Sequence, residues 1–103
     1  MGKFSRDKGA RHERAIVELH KALGLGAERV PLSGASGGSF AGDVLIQGVG
    51  TCEVKARGSG GGFVQLEKWL AQHDALFLRR DRADALVLLP WATWVRLVTR
   101  KSA

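Results

Sequence analysis

The residues richest in chemistry lie in the stretch GDVLIQGVGTCEVKA, residues 42–56. Two apolar runs are joined by Gly48-Val49-Gly50. Each run carries an acid where a buried strand would have none: Asp43 in the first and Glu53 in the second, with Lys55 two residues further on. With Gly48-Val49-Gly50 as a three-residue hairpin loop, Gln47 faces Thr51, Leu45 faces Glu53 and Asp43 faces Lys55. Side chains alternate along a strand. Asp43, Glu53 and Lys55 therefore share one face, while Val44, Ile46, Cys52 and Val54 share the other, which is the face expected to pack on a helix. Leu45 is the one apolar residue on the charged side.

Two carboxylates held close repel one another unless a cation sits between them. Hard oxygen donors suit Mg²⁺, with Mn²⁺ expected to substitute. Such an ion lowers the pKa of a bound water and neutralises charge on a scissile phosphate. Lys55 beside it is placed to orient that water or to stabilise the charge that develops during attack. The plainer alternative is an exposed hairpin face with a surface Asp43–Lys55 pair, worth about 0–1 kcal/mol. The strand content around the acids and the basic character of the chain weigh against it.

The elements that must position these residues follow from periodicity. Helical spacing begins near Asp7. His12, Ile16, Leu19 and Leu23 form one stripe, with Arg11, Arg14, Glu18 and Lys21 off it. Asp7 or Ser5 is a candidate cap, and Gly24 and Gly26 end the helix. A short strand, ERVPL, precedes the Gly/Ser-rich SGASGGSFAG. Strands are then expected at about 43–47 and 51–56, and RGSGGGF reads as a second Gly-rich loop. VQLEKWLAQHDALFL places Leu66, Trp69, Leu70, His73 and Phe77 at helical spacing. ADALVLL is a continuous apolar run of the kind buried on both faces. TWVRLVT alternates and reads as a last strand. The expected order is α-β-β-β-α-β-β, an α/β or α+β fold with a mixed β-sheet flanked by helices, in one domain spanning 1–103.

The chain has 103 residues, 45% of them hydrophobic, which suits one small domain with a core. Sixteen Lys and Arg against ten acids give a formal net charge of +6, which favours polyanions, nucleic acid first. No apolar run approaches the ~20 residues of a membrane span, and the basic N-terminal MGKFSRDKGARHER has no apolar stretch behind it. No membrane partner is expected. Cys52 is the sole cysteine, expected as a small core residue in a reducing, cytoplasmic setting, or a host cytoplasm if the source is a phage.

Asp43 followed by Glu53-Val54-Lys55 resembles the Asp…Glu-x-Lys core of the PD-(D/E)xK nuclease superfamily. The order helix, three strands, helix, strand is similar to that superfamily's restriction-endonuclease-like core. A closer resemblance, over nearly all of the chain, is to the archaeal-type Holliday junction resolvases in a minimal phage- or bacterial-like version. It is carried by KGARHERAIVELHKALG, with Lys8-Gly9 and Glu13-Arg14, by RVPLSG at 29–34, by GDVLI and CEVK, and by ADALVLLPWATWVRLV. The resemblance implies that Glu13, Asp43 and Glu53 surround the metal with the Val54 carbonyl, that Lys55 is catalytic, and that Arg14 and Ser33 contact the substrate or support the site. Independently, Glu13 falls at the edge of the helix stripe, three residues before Ile16, where it can lean toward the sheet. Gly42 stands where the superfamily's Pro precedes the first Asp, and Ser36 and Ser39 compete with Ser33 for its role.

The resemblance implies a Mg²⁺-dependent endonuclease cutting four-way DNA junctions as a homodimer, since paired symmetric cuts suit a two-fold assembly. A related nuclease for flaps, mismatches or duplex, and a non-catalytic basic nucleic-acid-binding module, are the alternatives. Lys8, Arg11, Arg14, Arg29 and Arg57 are the expected DNA contacts, within a wider basic set that includes Lys3, Arg6, Arg79, Arg80 and Arg82. Phe63, at the end of a Gly-rich loop, is the candidate for base stacking. Trp69, Trp91 and Trp94 read as core or interface anchors, and His12, His20 and His73 are not expected to ligate metal.

Overall fold

A computed structural model describes residues 2–30 and 43–100, with only the backbone described for residues 2–8. The element order is α1 (Gly2–Ala22), β1 (Ala27–Arg29), β2 (Val44–Ile46), β3 (Gly50–Cys52), α2 (Phe63–Leu70), β4 (Leu76–Leu78), β5 (Leu86–Leu88) and α3 (Trp91–Val98). The fold is mixed α/β. The chain forms two compact units, Met1–Ala56 and Arg57–Ala103.

In the first unit, twelve of the 21 residues of α1 are Ala, Leu, Glu, Lys or Arg, all good helix formers. It ends at Gly24, whose φ of 86° lies in the left-handed region that favours glycine. The Leu25 amide donates to the His20 carbonyl at 3.1 Å and the Gly24 amide to the Lys21 carbonyl at 2.9 Å, the paired bonds of a Schellman end. β1, β2 and β3 form an antiparallel sheet in that order. Val17 of α1 closes on Val44 and Ile46 of β2, and Ile16, Ala27, Cys52 and Val54 pack around them. The expected apolar face of the hairpin, Val44, Ile46, Cys52 and Val54, is thus the face on the core. Burial also pushes the Cys52 thiol above its ordinary range.

The helix stripe is shifted from expectation. Val17 and His20 are buried while Leu19 is 46% exposed. His20 offsets its burial by donating from Nδ1 to the Ile16 carbonyl at 2.7 Å.

The hairpin register also differs. Val44 pairs with Cys52, Leu45 with Thr51 and Ile46 with Gly50, so the loop is Gln47-Gly48-Val49 rather than Gly48-Val49-Gly50. The Val49 amide donates to the Ile46 carbonyl at 2.9 Å, and Gly48 holds φ 83° at the turn's third position. Gln47 then acts as a clamp: its amide donates to the Gly26 carbonyl at 2.8 Å, and its Oε1 accepts from the Gly26 amide at 2.8 Å. Moving the loop back by one residue shifts every pair by two, so parity, and with it the sorting of faces, is preserved.

The second unit departs further. α2 stops at Leu70, with Ala71 at φ 47° donating to the Glu67 carbonyl, and the LFL expected to extend it is β4. β4 and β5 pair antiparallel, Phe77 opposite Val87. All described strand pairs are antiparallel, in place of the expected mixed sheet. Leu86 and Val87 are 67% and 53% exposed rather than buried on both faces. TWVRLVT is not a strand: it lies within and just beyond α3, which starts after Pro90 in extended conformation at the N-cap. Proline suits the edge of a helix start and no sheet interior, and Trp91, Trp94, Val95 and Val98 satisfy helical spacing equally well.

Candidate metal and nucleic-acid site

The acids and Lys55 are set by the hairpin. Alternation along β2 and β3 puts Asp43, Glu53 and Lys55 away from the buried Val44 and Ile46. The main chain around Asp43 is tied on both sides: the Val30 amide donates to its carbonyl at 3.0 Å, and its own amide donates to the Cys52 carbonyl at 2.8 Å. The Asp43 carboxylate crosses to the neighbouring strand, where Oδ2 accepts from the Val54 amide at 2.7 Å. A charged acceptor at that distance makes a strong bond. It fixes the carboxylate beside the peptide between Glu53 and Val54, so the two acid-bearing segments are joined by a side chain where the ladder has ended.

Glu53 and Lys55 lie on one side of this extended segment, with Lys55 Nζ 3.3 Å from Glu53 Oε2. The sequence places Lys55 opposite Asp43, whereas its ion-pair partner is Glu53, two residues back on the same face. Both side chains are more than half exposed, so the pair itself is worth about 0–1 kcal/mol.

Glu13 leans toward the sheet as its position on α1 implies, but onto β1. Arg29 pairs with Val44 across the sheet, which puts it on the side that α1 covers, and its Nε donates to Glu13 Oε1 at 3.0 Å. Glu13 is 19% and Arg29 34% exposed. Sequence reading assigned Arg29 to DNA and Glu13 to metal. No periodicity links residues this far apart, so the ion pair left no sequence signal.

The predicted site residues therefore assemble as three pairs: Asp43 with Val54, Glu53 with Lys55, and Glu13 with Arg29. Among the described residues no three of His, Cys, Asp and Glu converge in a way that could hold a metal ion. Ser33 lies outside the described residues, as does the side chain of Lys8, whose backbone is in α1. Arg11 and Arg14 are exposed on α1, and Arg57 is exposed after the hairpin. Phe63 is the first residue of α2, half-buried after Gly62, where it lines a small apolar cleft with Leu66, Glu67 and Leu88. No helix among the described residues is long and apolar enough to cross a membrane.

No family model matches the chain, and no curated protein or solved structure matches it.

Proposed function

We propose that this chain is a metal-dependent endodeoxyribonuclease of restriction-endonuclease-like core that cuts four-way DNA junctions as a homodimer. The observation that carries this reading is the 2.7 Å bond from the Val54 amide to Asp43. It brings together the acid of one strand and the peptide that follows the acid of the next, with Lys55 one residue beyond. Asp43, Glu53 and the Val54 carbonyl are hard oxygen donors, and their chemistry fits Mg²⁺ or Mn²⁺. Such an ion, when bound, activates water and neutralises phosphate charge. The chain's own residues do the rest. Val54 N–H holds the Asp43 carboxylate in one orientation. Glu53 keeps Lys55 close, and Lys55 is placed to steer a water or to meet charge developing on the phosphoryl oxygens. Arg11 and Arg14 on α1 and the net charge of +6 supply attraction for the backbone. Trp91 and Trp94 of α3, the first 42% exposed and the second half-buried, are the proposed anchors of the dimer.

A second reading, a non-catalytic basic nucleic-acid-binding module, is favoured by the pairing of Glu13 and Glu53 with Arg29 and Lys55, which neutralises those acids without a metal. The experiment that separates the two is incubation with Mg²⁺ on a four-way junction, a linear duplex and a flap in parallel, with and without chelator. Chelation-sensitive cutting of the junction is the expected result. Binding without cutting in every lane would leave the module as the reading.

A further inference from the structure

The connection between β4 and β5 carries Arg79-Arg80-Asp81-Arg82, and neither the acidic face nor α1 gives it a role. All four side chains are exposed, and they line an open concavity of about 440 Å³. The Ala83 amide donates to the Arg80 carbonyl at 3.1 Å and closes the turn. Four cations elsewhere in the described structure lie on acids: Arg29 on Glu13, Lys55 on Glu53, Lys21 on Glu18, and Arg96 on Asp74. Arg79, Arg80 and Arg82 make no ion pair among the described residues, although Asp81 and Asp84 share their connection.

Arg82 supplies a second observation. Its φ is 63°, in the left-handed region that strains any residue with a Cβ. Glycine would hold this turn at less cost. No hydrogen bond or ion pair of the Arg82 side chain among the described residues offsets that strain, and a strained residue with an idle side chain points to a task outside the fold.

We propose that this turn is a nucleic-acid contact, in which Arg79, Arg80 and Arg82 bind phosphates of a DNA backbone. The concavity is lined by charged side chains alone, whereas sites that enclose small molecules are mostly apolar. An open charged surface instead suits one stretch of a polyanion, with guanidiniums as forked donors to phosphate oxygens. The turn carries no large apolar side chain to enter a bilayer, and the chain's net charge of +6 draws polyanions from a distance. Phosphate contacts fix position and add affinity without reading sequence. This contact does not depend on Asp43, Glu53 or a metal.

The test uses the full chain in chelator, so that nothing is cut, with a labelled duplex followed by anisotropy over a range of KCl concentrations. The combined variant R79A/R80A/R82A is expected to lower affinity by about tenfold or more at low salt and to flatten the salt slope by ~2–3. Arg96→Ala, which removes a cation that already has an acidic partner, is expected to change the slope by less than one. Arg82→Gly is expected to weaken DNA binding while the melting temperature holds or rises, because the strain is relieved. A melting temperature that falls with the affinity would make the turn structural and overturn the proposal. So would parental affinity and slope in the triple variant, or a loss seen only on phosphatidylserine vesicles or inorganic phosphate. Cleavage with Mg²⁺ is read separately: a chain that never cuts but shows the slope difference loses the nuclease reading and keeps this contact.

Discussion

In residues 1–56 Val44 is wholly buried, and Val17 and Ile46 are 6% and 3% exposed. In residues 57–103 Phe77 and Leu86 are 70% and 67% exposed, and the one buried side chain described is Thr93. The two units also differ in where charge gathers. The first sets Arg29 on Glu13 and Lys55 on Glu53, whereas the second, beside its Arg96–Asp74 pair, holds three arginines on one turn that make no ion pair among the described residues. Chemistry that needs a carboxylate fixed to a few tenths of an ångström needs a packed support. Attraction for a polyanion does not, since it acts over a Debye length of ~8–10 Å.

That contrast predicts its largest effect on folding. Residues 57–103 produced alone are expected to show no cooperative thermal transition by circular dichroism, because they bring too little buried apolar surface to offset chain entropy. The full chain is expected to melt cooperatively. A sharp transition in the isolated fragment would end the comparison.

Next in size is catalysis. Asp43→Asn and Glu53→Gln are each expected to slow junction cleavage by about 10²-fold or more, with junction affinity equal or higher because repulsion of phosphate falls. The readouts are single-turnover cleavage with Mg²⁺ and binding in chelator. Parental rates in either variant would remove these acids from the site.

One deletion made twice sharpens the comparison at smaller scale. Val44→Ala is expected to cost about 2 kcal/mol, from lost transfer energy and an unfilled space. Val64→Ala, at a position on α2 that is 47% exposed, is expected to lie within about 0.5 kcal/mol of the parent, helped by alanine's better helix propensity. Urea unfolding measures both. A large cost at Val64 would mean that the second unit buries that side chain in solution.

What sequence revealed follows the same divide. The sorting of Asp43, Glu53 and Lys55 from Val44, Ile46, Cys52 and Val54 was legible because a pattern of period two survives a two-residue slip in pairing. α1 was legible from its helix formers and terminal glycines, although its start lies earlier than Asp7. In the second unit the apolar runs are short, and short runs fit strand and helix alike. Leu76–Leu78 left α2 without a Gly or Pro to mark the break, since Ala71 took the positive φ instead. TWVRLVT alternates and yet belongs to α3, and Pro90 was the signal that favoured a helix start. The Glu13–Arg29 pair was out of reach because tertiary packing alone joins the two residues.

The smallest effect concerns the two ion pairs that represent the units. Glu13 and Arg29 meet at 3.0 Å with 19% and 34% exposure, whereas Asp74 and Arg96 stand 3.8 Å apart with 82% and 62% exposure. Partial burial lowers the effective dielectric around the first pair and removes much of the competition from water. The second remains screened and holds two long side chains at an entropic cost. Double-mutant cycles by urea unfolding, with Glu13→Gln and Arg29→Met in one and Asp74→Asn and Arg96→Met in the other, are expected to give coupling energies of about 1 kcal/mol and about 0.3 kcal/mol or less. Raising KCl is expected to erase the second coupling and leave most of the first. Equal couplings, or a first coupling that disappears with salt, would mean that Glu13 is solvated. It would then not be held on the α1 side of the sheet, and its distance from Asp43 and Glu53 would not be set by Arg29.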